Sequence, residues 1–130
     1  MVIKNEITDY LVKSMGSLDL LIQNDRNPEK PDIEYLCAGF MMIKSNNKTL
    51  NFFDTSKIDN KELMEGLHDQ GYINNNKKSL NYEKLPLDLF PNGPYFYENS
   101  MNLNPKIIHF NYVLGNKKKA VMKKYNEWYL

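Results

Sequence analysis

YLCAGFMMIK, Tyr35–Lys44, is the most hydrophobic stretch of the chain and the one on which the fold assignment turns. An apolar run without polar alternation suits a strand in a sheet covered on both faces, so this segment is expected to be the central strand. Ala38-Gly39-Phe40 sits inside it. A glycine there marks a bulge or a close approach by a ligand or another backbone, tight packing under a helix being the plainer alternative.

Working upstream, NDRNPEKPD (Asn24–Asp32) is rich in residues that break periodicity and reads as a loop. LDLLIQ (Leu18–Gln23) is a short apolar run that suits a buried strand. Ile3, Ile7, Tyr10, Leu11, Ser14 and Met15 follow helical spacing, with Gly16 as the stop. Downstream, Ser45-Asn46-Asn47 offers N-caps for a helix carrying Leu50 and Phe53, with Ile58 a further candidate. A second helix is expected from Asp59 or Asn60 through Leu63, Met64 and Leu67, and a third from Asp69 through Ile73. Leu80–Pro86 reads as a strand, and Leu87–Asn99 as a proline-punctuated loop or hairpin turning at Asn92-Gly93. Pro105–Tyr112 is a last strand, and a basic helix over residues 116–128 closes the chain. Strands and helices alternate, which is the α/β pattern. Tight βαβ regularity is missing, so a mixed sheet flanked by helices is expected.

At 130 residues the chain has the size of one domain and enough length to bury a core. With 42% hydrophobic residues and a net charge of +1, wholesale disorder is excluded. No apolar run approaches the roughly 18–20 residues of a membrane span, and the N-terminus carries acids and no apolar signal-type run. The single Cys37 excludes an internal disulfide framework and a cysteine-based zinc site. These features lead to the expectation of a soluble, cytoplasmic domain. The near-neutral charge hides an asymmetry: residues 1–105 hold 11 basic and 15 acidic side chains, a net of −4, whereas residues 106–130 hold six Lys and one Glu, a net of +5. The cationic end is either a solvated helix face or an anion site.

Three clusters besides the strand glycine carry possible chemistry. His68-Asp69-Gln70 stands at a helix start, where capping accounts for Asp69, and hydrogen bonding to ligand hydroxyls by Asp69 and Gln70 is the functional alternative. His68 reads as a surface side chain. LPLDLFPNGPYFY (Leu85–Tyr97) is either a stiff loop with rings for a sugar or base, or a packed connection. The strongest is HFNYVLGNKK, His109–Lys118. At a strand end His109 and Asn111 share one face, and a neutral imidazole can ligate a metal. Gly115 allows close backbone approach to a diphosphate, and a helix N-terminus with a Lys supplies charge for it. The plainer reading is a core histidine beside a solvated lysine face.

Together, Leu36 to Phe40, Asp69-Gln70-Gly71, Leu85 to Gly93, and His109 through Lys118 with Trp128 resemble, in that order, the nucleotide-diphospho-sugar transferase domain family, a GT-A-type glycosyltransferase fold. The resemblance spans roughly residues 18–130. It implies transfer of a sugar from a nucleotide-diphosphate sugar, such as a UDP-sugar, to an acceptor. It also implies roles by position: Asp69 near the reacting carbon; Ala38, Gly39 and Gln70 at the donor sugar; Asn111, Gly115 and Lys118 at the diphosphate; and His109 on a divalent cation, usually manganese. A cation and a Lys suit a nucleoside diphosphate leaving group because they neutralise its developing charge. In the family, a nucleotide-binding half with an Asp-x-Asp motif precedes this segment. No Asp-x-Asp occurs here, and Cys37 stands where the family has a polar residue. Residues 1–130 are thus expected to be a single domain matching the C-terminal half, working with another chain or as part of a split or truncated gene product. An inactive remnant serving as a self-associating interaction module is the alternative. A nucleic-acid binder using Lys117–Lys124 comes last, because the chain has one Arg and almost no net charge.

Overall fold

The computed structural model describes residues 1–27, 29–30, 32–58 and 67–129. The mixed sheet is built on β2 (Leu20–Asn24), with β3 (Leu36–Ile43) antiparallel on one side and β4 (Tyr82–Leu85) parallel on the other. A two-stranded antiparallel ribbon pairs β1 (Val2–Ile3) with β5 (Ile107–Ile108). The helices are α1 (Thr8–Met15), α2 (Asn47–Phe52), α3 (Asp69–Asn76), α4 (Gly93–Asn99) and α5 (Gly115–Lys124).

β2 is the strand covered on both faces. Leu21 packs with Leu11 and Met15 of α1 and with Leu85, Phe90 and Ile107. Leu20 and Ile22, on the opposite face, pack with Phe52 of α2, Ile73 of α3 and Leu36. A third cluster joins Val2, Phe96, Ile108, Phe110 and Met122, which seats α4 and α5 on the ribbon. The period-2 alternation of β2 thus serves two apolar layers at once.

Several expectations change. Tyr35–Lys44 contains β3, but among the described residues β3 pairs only with β2 and is an edge strand, buried fully only at Leu36 and Cys37. Hydrophobicity placed the strand in the sheet; pairing order decided which strand is central. Ile3 lies in β1 rather than in the first helix, which begins at Thr8 and ends at Gly16 with φ +43. In α2 the apolar face is turned: Asn46 caps it in a reciprocal box with Thr49, Phe52 is buried, and Leu50 is 65% exposed. The helix expected from Asp59 or Asn60 through Met64 lies outside the described residues. Asn92-Gly93 is not a hairpin turn but the start of α4: Asn92 accepts from the Tyr95 N–H as N-cap, and Pro94 follows in the first turn. The last helix ends at Lys124, and Asn126, with φ +58, turns the chain away.

Two polar ties fix the frame. Asp19, just before β2, accepts from Lys48 Nζ at 2.6 Å, Asn46 Nδ2 at 3.2 Å and the Asn81 N–H at 2.9 Å, joining α2 and the approach to β4. Lys4 donates to both oxygens of buried Glu127, holding the segment after α5 against the N-terminus.

Candidate functional site

A polar cavity of about 410 Å³ opens where four separate segments meet, lined by Asp25, Cys37, Ala38, Gly39, Asp69, Gln70, His109, Asn111 and Tyr112. Asp25 follows the carboxyl end of β2, Cys37 to Gly39 come from β3, Asp69 and Gln70 begin α3, and His109 to Tyr112 follow β5. Of the residues singled out in the sequence, Ala38, Gly39, Asp69, Gln70, His109 and Asn111 are brought together here. Gly115 and Lys118 stand on α5, outside the lining.

The glycine marks a bulge. β2 pairs Ile22 with Met41 and its next residue, Gln23, with Cys37, so Ala38, Gly39 and Phe40 have no partner on β2. It also marks a close approach, since a Cβ on Gly39 would lie 2.3 Å from His109 Cε1. The Cε1 edge of the imidazole fits against the bulge because residue 39 has no side chain.

His109 is held by Gln23, which is wholly buried. The Gln23 carboxamide donates from Nε2 to the carbonyls of Phe90 at 3.1 Å and Pro91 at 3.2 Å. Its Oε1 then faces His109 Nδ1 at 2.8 Å. That orientation assigns the proton to Nδ1 and leaves the lone pair on Nε2. Burial, then the positive charges of the N-terminus and Lys118, hold the His109 pKa below its ordinary 6.5, against an opposing pull from Asp25. The ring is neutral at pH 7. Cys37 Sγ packs 3.5 Å from the same nitrogen, and burial pushes its thiol up to about 11, so it stays protonated.

Asp25 is the hub. Its Oδ1 accepts from Asn111 Nδ2 at 2.7 Å and Asn92 Nδ2 at 3.4 Å, and its Oδ2 from Gln70 Nε2 at 3.0 Å. Each carboxamide is anchored again at its oxygen: Asn111 by the Gly93 N–H, Asn92 by the Tyr95 N–H, and Gln70 by the Ala38 N–H. A buried carboxylate surrounded by amide donors is stable, and it orders three segments around one point. The sequence reading missed Asp25, Gln23, Asn92 and Tyr112. The available signal was position, since polar residues directly after an apolar strand stand where α/β sheets gather their sites.

Asp69 is not the helix cap. His68 caps α3 by accepting from the Gly71 N–H at Nδ1, because its extended backbone turns the ring toward that turn. Asp69 is the first helical residue; its side chain is 78% exposed on the cavity rim, with Oδ1 accepting from the Gln70 N–H. The prolines and rings of Leu85–Tyr97 form a packed connection: Phe90 and Phe96 are buried, and none of these residues lines the cavity.

His109 Nε2 fits one ligand position of a divalent cation, with Gln23 as the partner that orients the ring. Among the described residues, no group of three or more His, Cys, Asp or Glu side chains gathers. Asp25 is committed to amides. Among the described residues, no helix is long and apolar enough to cross a membrane. On α5, Lys119 and Lys124 lie over the rings of Trp128 and Tyr125, at 5.2 and 5.5 Å from the ring centres.

An α/β fold of two small sheets, with its polar site at the carboxyl end of the central strand, suits a sugar-nucleotide enzyme domain. The model of the nucleotide-diphospho-sugar transferase family matches residues 1–122, and the chain belongs to that family. The match includes every site residue named above and stops before Trp128. A UDP-galactose:fucoside alpha-3-galactosyltransferase of Dictyostelium discoideum is 27% identical over 141 residues, covering 87% of this chain. The chain spans 20% of that relative's length. No solved structure matches with comparable significance.

Proposed function

We propose that this chain carries the sugar-side half of a GT-A-type glycosyltransferase site, which moves a sugar from a nucleotide-diphosphate donor to an acceptor hydroxyl. The supporting observation is the convergence of Ala38, Gly39, Asp69, Gln70, His109 and Asn111 on one polar cavity from three distant parts of the sequence. UDP-galactose is the first donor to try, given the activity named for the Dictyostelium relative.

In this reading the bond from the sugar's anomeric carbon to the diphosphate oxygen breaks, the nucleoside diphosphate leaves with the electron pair, and the acceptor oxygen bonds to that carbon and releases its proton to solvent. Asp69, exposed on the rim, works nearest the reacting carbon. The bulge at Ala38 and Gly39 forms the floor under the donor sugar. Gln70 and Asn111 use one amide hydrogen on Asp25 and keep the other for ligand oxygens. Lys118 and the Gly115 end of α5 supply positive potential toward the diphosphate. His109 Nε2 is one ligand of a divalent cation, manganese being the family's usual choice, and a bound cation would supply charge neutralisation to the departing diphosphate. Its remaining ligands, and the nucleotide pocket, come from a nucleotide-binding half supplied by other sequence.

Calorimetry with UDP-galactose and manganese, on this chain co-expressed with an Asp-x-Asp-bearing half, tests the reading. Saturable binding weakened by His109→Ala is expected. No binding to the co-expressed pair overturns it. A second reading, an inactive module that self-associates, draws on the exposed groove lined by Ile43, Leu50 and Phe53. Light scattering showing a clean monomer removes it.

A further inference from the structure

We propose that the groove between residues 100–105 and 124–127 is a second ligand site, one that takes a small carboxylate carrying an apolar body. The groove, of about 420 Å³, shares no lining residue with the polar cavity around His109. Its size falls among small-molecule sites, which begin at about 300 Å³. Residues 124–127 also lie beyond the stretch that the family model matches. The site does not depend on the sugar-transfer reading.

The floor is apolar and already in place. Phe96 and Ile108 are buried in it, with Leu103 and Tyr125 beside them. Two neighbours fix the Tyr125 ring: it stacks on Tyr97 with 5.6 Å between centres, and Phe96 meets it edge-on at 5.1 Å. An apolar body finds a preformed surface there, so little ordering opposes binding.

The rim is polar and uncommitted. Among the described residues, the side chains of Ser100, Asn104, Lys124 and Asn126 have no hydrogen-bond partner. Two other charges line the groove, and they neutralise each other: Lys4 Nζ donates to both carboxylate oxygens of Glu127, at 2.8 and 2.9 Å, and to Tyr129 Oη at 3.0 Å. Lys124 is therefore the uncompensated charge of the lining. Its Nζ stands 5.5 Å from the centre of the Tyr125 ring, beside the apolar floor. The carbonyls of Val121, Met122 and Lys123, at the negative end of α5, accept from the N–H groups of Tyr125, Glu127 and Asn126 respectively, which blunts their repulsion of an anion. One ammonium matches a monoanion better than a phosphate dianion, and the two carboxamides and the hydroxyl add neutral donors for its oxygens.

Hydrocinnamate is the probe, titrated into the isotope-labelled full chain and followed in 1H–15N spectra. Saturable shifts are expected at Met101, Leu103, Tyr125 and Asn126, with affinity in the millimolar range, while Gly39 and Gln70 stay unmoved. Hydrocinnamide, the neutral isostere, and acetate, which lacks the apolar body, should each bind at least about tenfold more weakly. Lys124→Gln should weaken hydrocinnamate about tenfold. Asn126→Asp keeps a residue tolerant of φ +58, adds a repelling charge and should abolish the shifts. Lys117→Gln, at the other end of α5, should leave them unchanged. The spectra report folding, and if one groove variant does not fold the other decides. No saturable shift at the groove, equal affinity for the neutral amide, or full affinity in the folded groove variants overturns the site.

Discussion

His109 Cε1 occupies the space that a Cβ at position 39 would need, 2.3 Å from where that carbon would be. The relationship links a strand bulge to the imidazole most suited to a ligand. Gly39→Ala should therefore displace the ring and destabilise the fold by about 1–3 kcal/mol, the usual cost of overpacking. Urea denaturation measures it. Combining the change with His109→Ala should recover most of the loss, a coupling that a double-mutant cycle reads directly.

Gln23 dictates the tautomer. In long-range 1H–15N spectra, His109 should show its proton on Nδ1, and Gln23→Leu should redistribute it. That variant also leaves the Phe90 and Pro91 carbonyls without their buried donor, at a cost of about 1–3 kcal/mol. An unchanged His109 spectrum in Gln23→Leu would refute the assigned orientation.

Asp25 and Asp69 should separate structure from chemistry. Asp25→Ala strands the Asn92, Asn111 and Gln70 amides and should cost at least about 2 kcal/mol. Asp69→Asn, exposed on the rim, should stay within about 0.5 kcal/mol of the wild type yet suppress the proposed sugar transfer. A fully active Asp69→Asn would remove Asp69 from the proposed mechanism.

Acid should weaken the fold in two stages. His109 has a depressed pKa in the folded state, so the unfolded chain takes up its proton more readily. The neutral-ring contribution is complete above the unfolded value near 6.5 and is lost as pH falls below it toward the folded value. Asp19 is lowered from 3.8 to about 2, first by Lys48 and then by the Asn81 N–H and other donors. Its contribution is complete above 3.8 and lost as pH falls through about 2. Denaturation midpoints from pH 8 to pH 2 should show both losses. His109→Gln should abolish the first, and Asp19→Asn should reduce the second, to which the lowered carboxyls of Glu6, Glu34 and Asp54 also contribute.

Much of this was legible in local sequence because the forces involved are local. Gly16 stops α1, Asn46 caps α2, and the apolar Leu18–Gln23 and Tyr35–Lys44 runs contain strands. The order of short motifs carried the family. Legibility failed where a residue's role depended on its neighbours across the chain. His68 rather than Asp69 caps α3, since backbone angles decide which side chain reaches the free amides. Leu50 faces out and Phe52 in, since helix rotation follows the layer it covers.

By itself the sequence determined that this chain is α/β, with a glycine in an apolar strand, an acidic body and a basic last helix. Composition and periodicity act through contacts near in sequence, so those properties needed no tertiary information. Only the tertiary structure decided that β2 rather than β3 is central, that the glycine makes room for His109, and that Asp25 binds three distant amides. Those outcomes depend on pairing order and on buried hydrogen bonds between residues more than 40 positions apart, and no local pattern encodes them.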